Sequence, residues 1–175
     1  MNDPNVLGLV PSVYFAESLV RCDIGMAWRI LLDYTTWNPS YAGATVTRIE
    51  GAAGTEGELV LISNNWSYAE RTGFPPYYAR TVKLVPGRRV VWYCYAKEGL
   101  AFQDQQDPFR NFVDFGLTPE GGGIRFLYSY YQQTRQTDEA ITRERQFLGQ
   151  KLQATAHAFR DYCERHGGVA QQHQP

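Results

Sequence analysis

Between residues 44 and 133 the hydrophobic pattern keeps returning to a period of two. Only after that does it switch, once, to a single long amphipathic stripe. Ile141, Leu148, Leu152, Ala156, Phe159 and Cys163 recur at helical spacing, while Glu144, Gln153, Arg160 and Glu164 fall mostly elsewhere. Thr137 or Asp138 can cap this helix, Asp138 and Glu139 suit its positive end, and Gly167-Gly168 stops it, which predicts a helix over 138–165. One helix following so many strands has to lay its stripe across the concave side of a curved antiparallel sheet. That packing leaves room between the layers, and the room is the expected functional site.

The strands and turns can be followed along the chain. Ser12 to Arg21 is rich in β-formers and reads as a first strand. Asp23 can cap a helix carrying Met26, Ala27, Ile30 and Leu31, Asp33-Tyr34-Thr35-Thr36 breaks it, and Trp37-Asn38-Pro39 starts a second, very short one. Thr45–Glu50 and Glu58–Ser63 form a hairpin around a Gly-rich connection. Gly51, Gly54 and Gly57 in that connection are followed by a strand rather than a helix, so no helix N-terminus is present to hold a phosphate. Tyr77–Val85 and Arg88–Tyr95 pair around Pro86-Gly87, and Phe109–Thr118 pairs with Ile124–Gln133. Two long connections, Asn64–Pro76 and Ala96–Pro108, carry Trp66, Phe74 and Phe102 and are expected at the cavity entrance. The expected organisation is an arm over 1–11, one domain over 12–166 and a flexible tail over 167–175.

Composition removes several function classes. With 17 basic and 18 acidic residues interspersed along 175, there is no basic stripe for nucleic acid. No apolar run is long enough to insert in a membrane and the N-terminus has no secretory pattern, so a cytoplasmic protein is expected. Cys22, Cys94 and Cys163 are odd in number and widely spaced, suggesting neither a disulfide framework nor a metal site. His157, His166 and His173 lie in the last helix, its end and the tail, poorly placed for a nucleophile system. No cofactor is expected.

The segment Cys22-Asp23-x-x-x-Ala27-Trp28-x-x-Leu31-x-Asp33-x-x-x-Trp37-Asn38-Pro39 resembles the A-P-x-x-x-V-W-x-x-L-x-D…W-x-P opening of polyketide cyclase/dehydrase-like members of the START/Bet v 1-like (SRPBCC) superfamily. Cys22-Asp23 stands where the family has Ala-Pro, and Ala27 where it has Val. The resemblance implies an α+β helix-grip fold: a seven-stranded antiparallel sheet around the long C-terminal helix, with two short helices after the first strand and a hydrophobic cavity between. It does not imply one activity, because the superfamily includes lipid and hormone binders, aromatases, cyclases and co-chaperone domains.

Alternation then assigns faces. Val113, Phe115, Leu117, Ile124, Phe126, Tyr128 and Tyr130 are placed toward the helix, as are Val90, Trp92 and Cys94. On the fourth strand Tyr78, Arg80, Val82 and Leu84 are expected to face them, with Tyr93, Tyr95 and Asp114 on the opposite parity, and a one-residue bulge would swap the sets. Arg80 inside the cavity needs an acceptor, for which Asp114 or a ligand oxygen is the candidate. Two functions follow. One is a carrier or sensor for a hydrophobic or aromatic small molecule, gripped by Trp37, Tyr41, Tyr78, Trp92, Phe115, Phe126, Tyr130 and Phe147. The other is a cofactor-independent cyclase, aromatase or dehydratase with Arg80, Asp114 and Tyr128 as its acid–base and polarising groups. A homodimer is compatible with either.

Overall fold

The computed structural model describes residues 14–63, 76–97, 110–132 and 138–167, with the side chains of 132 and 138–147 excluded. The two long connections, the arm and nearly all of the tail therefore lie outside the described residues. The elements run β1 (Tyr14–Val20), α1 (Ile24–Leu32), α2 (Tyr34–Trp37), a 3₁₀ turn (Pro39–Tyr41), β2 (Thr45–Glu50), β3 (Leu59–Ser63), β4 (Tyr77–Val85), β5 (Arg89–Ala96), β6 (Arg110–Glu120), β7 (Gly123–Gln132) and α3 (Asp138–His166). The seven strands form one antiparallel sheet in the order β1-β7-β6-β5-β4-β3-β2. This is the helix-grip arrangement, with α3 laid on the concave face.

Local chemistry sets the entry to the sheet. Asp23 caps α1 by accepting the Met26 N–H at 3.0 Å, and Asp33 ends it, its own N–H bonded to the Arg29 and Ile30 carbonyls. The chain then restarts at Tyr34. Asn38 accepts the Ser40 N–H at 2.9 Å, and Pro39 opens the short turn that delivers Tyr41 inward. At Gly51, φ is +77° and an added Cβ would lie 2.9 Å from Glu58 Cα, so the β2–β3 connection closes only around glycine.

The helix α3 packs chiefly along β1, with lesser contact to β7, α1 and α2. Ser18 Oγ donates to the Ala156 carbonyl at 2.9 Å, and the Arg21 N–H donates to Glu164 Oε1 at 3.0 Å. Beneath the helix, Trp37 meets Phe159 at 4.8 Å between ring centroids and Phe115 and Phe126 at 6.1 Å each. Phe115, Phe126 and Phe159 are fully buried. Such edge-to-face clusters add to the apolar burial that holds the layers together.

Candidate functional site

Because α3 lies over the β1–β7 side, the concave surface of β2 to β5 is faced instead by the α1–α2 corner. A cavity of about 500 Å³ opens there. Its floor comes from inward positions matched by register: Val46 beside Ile62, Val60 beside Ala79, and Thr81 beside Trp92. Tyr34 and Tyr41 form its wall. The Tyr34 ring packs edge-on to Tyr41 at 4.9 Å and to Trp92 at 4.8 Å. Arg29, Asp33, Arg48 and Glu58 form the mouth.

The wall is neutral and the charge sits at the rim. Burial raises the Tyr41 hydroxyl well above its ordinary pKa, with Tyr77, Cys94, Tyr128 and Tyr34 adding to it. Burial also raises Tyr34, helped by the charge of Glu58. Cys94, behind them, is pushed by burial up to about 12. Neither the Tyr34 nor the Tyr41 hydroxyl has a hydrogen-bond partner among the described residues, so each is an O–H donor available to a ligand oxygen. Glu58 is committed: Arg48 Nε donates to it at 3.2 Å and the Gly54 N–H at 2.7 Å.

The expected site residues divide among three places. Tyr41 and Trp92 line the cavity. Tyr128 and Tyr130 are on the concave face, Tyr128 packed on Phe115 at 4.6 Å and Tyr130 accepting from Asn111 Nδ2; Trp37, Phe115 and Phe126 belong to the core under α3. Phe147 falls in α3, but its side chain is outside the described residues.

Arg80, Asp114 and Tyr78 are on the convex face, which corrects the expected facing of β4. Tyr77, Ala79 and Thr81 point inward, and a bulge between Thr81 and Lys83 brings Leu84 back to the cavity. Arg80 donates to Glu50 at 3.0 Å in an exposed pair, and Tyr78 packs on Tyr95 at 5.4 Å. Asp114 is bound by Arg89 in a two-pronged pair of 3.0 and 2.6 Å, so the expected Arg80–Asp114 partnership does not form. Sequence reasoning passed over Tyr34, Ala79 and Thr81. Tyr34 stands in the helix break, and the other two lie on the parity opposite to the Tyr78, Arg80, Val82 and Leu84 set that was expected to face inward.

Comparison with solved structures places this fold. The di-domain ARO/CYC StfQ of the steffimycin biosynthetic pathway superposes with a TM-score of 0.65 at 12% identity, over 89% of this chain and 52% of its own. Ara h 8.0201 gives 0.58 at 13%, over 85% and 94%. Ginseng major latex-like protein 151 from Panax ginseng gives 0.53 at 11%, over 88% and 95%. The structural neighbours are thus Bet v 1-like (SRPBCC) proteins, the superfamily that the opening segment resembles. No protein-family model and no curated protein matches the sequence. No helix among the described residues is long and apolar enough to cross a membrane.

Proposed function

We propose that a chain with this helix-grip fold binds a small, mainly apolar or aromatic molecule carrying one or two neutral oxygens, as a carrier or sensor. One observation carries the reading: a cavity of about 500 Å³ with an apolar floor and two neutral tyrosine hydroxyls on its wall, Tyr41 buried and Tyr34 partly buried. The volume lies within the usual range of small-molecule sites, about 300–1,000 Å³. Trp92 and Tyr34 offer edges and faces to a flat ring, and Tyr34 and Tyr41 donate to a hydroxyl or carbonyl oxygen. The cytoplasm remains the proposed compartment, and the three described cysteines, all free thiols, suit it.

A cyclase or dehydratase would need a group ready to take or give a proton near neutral pH. The cavity supplies less for that. Glu58 is held by Arg48 and Gly54, and burial makes both tyrosines weaker acids than usual. The convex placement of Arg80 and Asp114 takes two of the three expected catalytic groups out of this cavity. Binding is therefore the favoured function.

Its test uses 1-anilinonaphthalene-8-sulfonate and native mass spectrometry. The dye should bind with a single saturable site, and Tyr34→Phe/Tyr41→Phe should retain that site while weakening retention of any co-purified oxygenated ligand. No saturable dye binding and no released small molecule would overturn the reading.

A further inference from the structure

Three of the four large hydrophobic side chains exposed among the described residues stand together on the convex face. Phe15 is 67% exposed, Leu19 49% and Leu127 38%. Register makes them neighbours: Phe15 is opposite Ser129, Glu17 opposite Leu127 and Leu19 opposite Arg125. Leu127 in turn is opposite Gly116, and Gly116 opposite Arg89. The missing side chain at Gly116 leaves a hollow of about 490 Å³, walled by Leu127, Tyr131, Asp114, Pro119 and Arg88. A Cβ at Gly116 would meet nothing nearer than Leu127 Cβ at 3.8 Å. Exposed knobs and an empty hollow thus share one face.

We propose that this face is a self-association surface whose occupant is a second copy of the chain, related by a twofold axis running along β7. A twofold interface must complement itself, and this one does. Strands about 4.8 Å apart place β1 and β6 on either side of β7, about 10 Å from each other. Turning one copy over about β7 lays its β1 on the partner's β6 at the same level. Phe15 then meets the Asp114–Gly116 wall of the hollow, and the two copies of Leu127 meet on the axis.

Charge completes the match. Glu17 shares a row with Gly116 that ends at Arg89, next to Arg88. The Glu17 carboxylate and the Arg88 guanidinium make no ion pair among the described residues; Arg125 feels the charge of Glu17 but is hydrogen-bonded to Glu120, and Arg89 is bonded to Asp114. The twofold puts Glu17 of each copy toward Arg88 of the other. Edge-to-edge pairing through β1 is disfavoured, because Gln153 Nε2 reaches the Glu17 carbonyl and Glu164 takes the Arg21 N–H. Two sheets packed face to face stay within about 30° of alignment, as their twist allows.

Sedimentation velocity of the full chain, from about 1 to about 200 µM, tests this; those limits bracket a micromolar dissociation constant. The expected result is a monomer–dimer equilibrium. Leu127→Glu sets two carboxylates on the axis and should leave a monomer. Glu17→Arg should weaken the dimer at least about tenfold, and Glu17→Arg/Arg88→Glu should restore it to within about threefold of wild type. Circular dichroism and the dye titration confirm that each variant is folded. A wild-type chain monomeric throughout would overturn the proposal and leave the face to a different protein or a small molecule in the hollow. A dimer indifferent to Leu127→Glu, or a charge swap that fails to rescue, would overturn it equally.

Discussion

Replacing Ala79 by leucine asks directly whether the space above β4 is real. Ala79 is 5% exposed, is flanked in register by Val60 and Cys94, and forms part of the cavity floor. Leucine adds three carbons at this point. At about 0.8 kcal/mol per buried CH₂, full burial would stabilise the fold by at most about 2.4 kcal/mol. One side of the cavity is open, so roughly half of that, about 1 kcal/mol, is the expected gain. A filled floor would give the opposite sign, because overpacking costs about 1–3 kcal/mol. Urea unfolding followed by tryptophan fluorescence separates the two outcomes through the midpoint at constant slope. Dye affinity should fall at least about tenfold in the same variant, since the added branch occupies the ligand's place. A loss of more than about 1 kcal/mol together with undiminished dye binding would refute both the cavity and the inward facing of Ala79.

Arg89→Met should destabilise by about 1–3 kcal/mol, because it strands the buried Asp114 carboxylate; Arg89→Met/Asp114→Asn should recover most of that loss in the same urea assay. Gly51→Ala should lower stability by about 1–3 kcal/mol, since the left-handed backbone and the Glu58 contact both resist a Cβ, and a thermal melt reads it. Alkaline pH should also weaken the fold. Cys94, Tyr34 and Tyr41 all lose protons less readily when folded, so their contribution is complete below their ordinary values of 9.0 and 10.0 and falls as pH rises. The urea midpoint should hold to about pH 9, decline beyond it, and decline less steeply above about pH 10 in Tyr34→Phe; a flat profile to pH 11 would contradict the dry interior.

The fold was legible because its signals are local and redundant. Asp23 caps as expected, Pro86-Gly87 turns as expected, and the stripe from Leu148 to Cys163 is buried as a helix one residue longer than its sequence limits. The facing of β5, β6 and β7 was equally readable, since bulky residues at Trp92, Phe115 and Phe126 mark the inward parity. On β4 the same rule misled. A cavity is made by small side chains at inward positions, so Ala79 and Thr81 look like the outer face to any reading that equates inward with large and apolar. The bulge after Thr81 then let Leu84 agree with the inward set although Tyr78 and Arg80 did not. Asp114 escaped for another reason: its partner Arg89 lies on the neighbouring strand, a pairing that depends on register rather than on pattern.

The uneven seat of α3 gives the two halves of the sheet different fates when the molecule breathes. Strands β1 and β7 are clamped by the helix, whereas β2 and β3 are held chiefly through the sheet, by β4. Segments with the fewest layers over them open first, and at free energies below that of global unfolding. The β2–β3 hairpin, joined to the rest of the sheet through β4, is therefore the wing expected to open first, and such opening would widen the space between Val60 and Tyr34. If the proposed binding function holds, the expected outcome is an association rate that levels off at high ligand concentration, set by how often the wing opens. Amide exchange graded from fast at β2 to slow at β7 is the corresponding signature in the free protein.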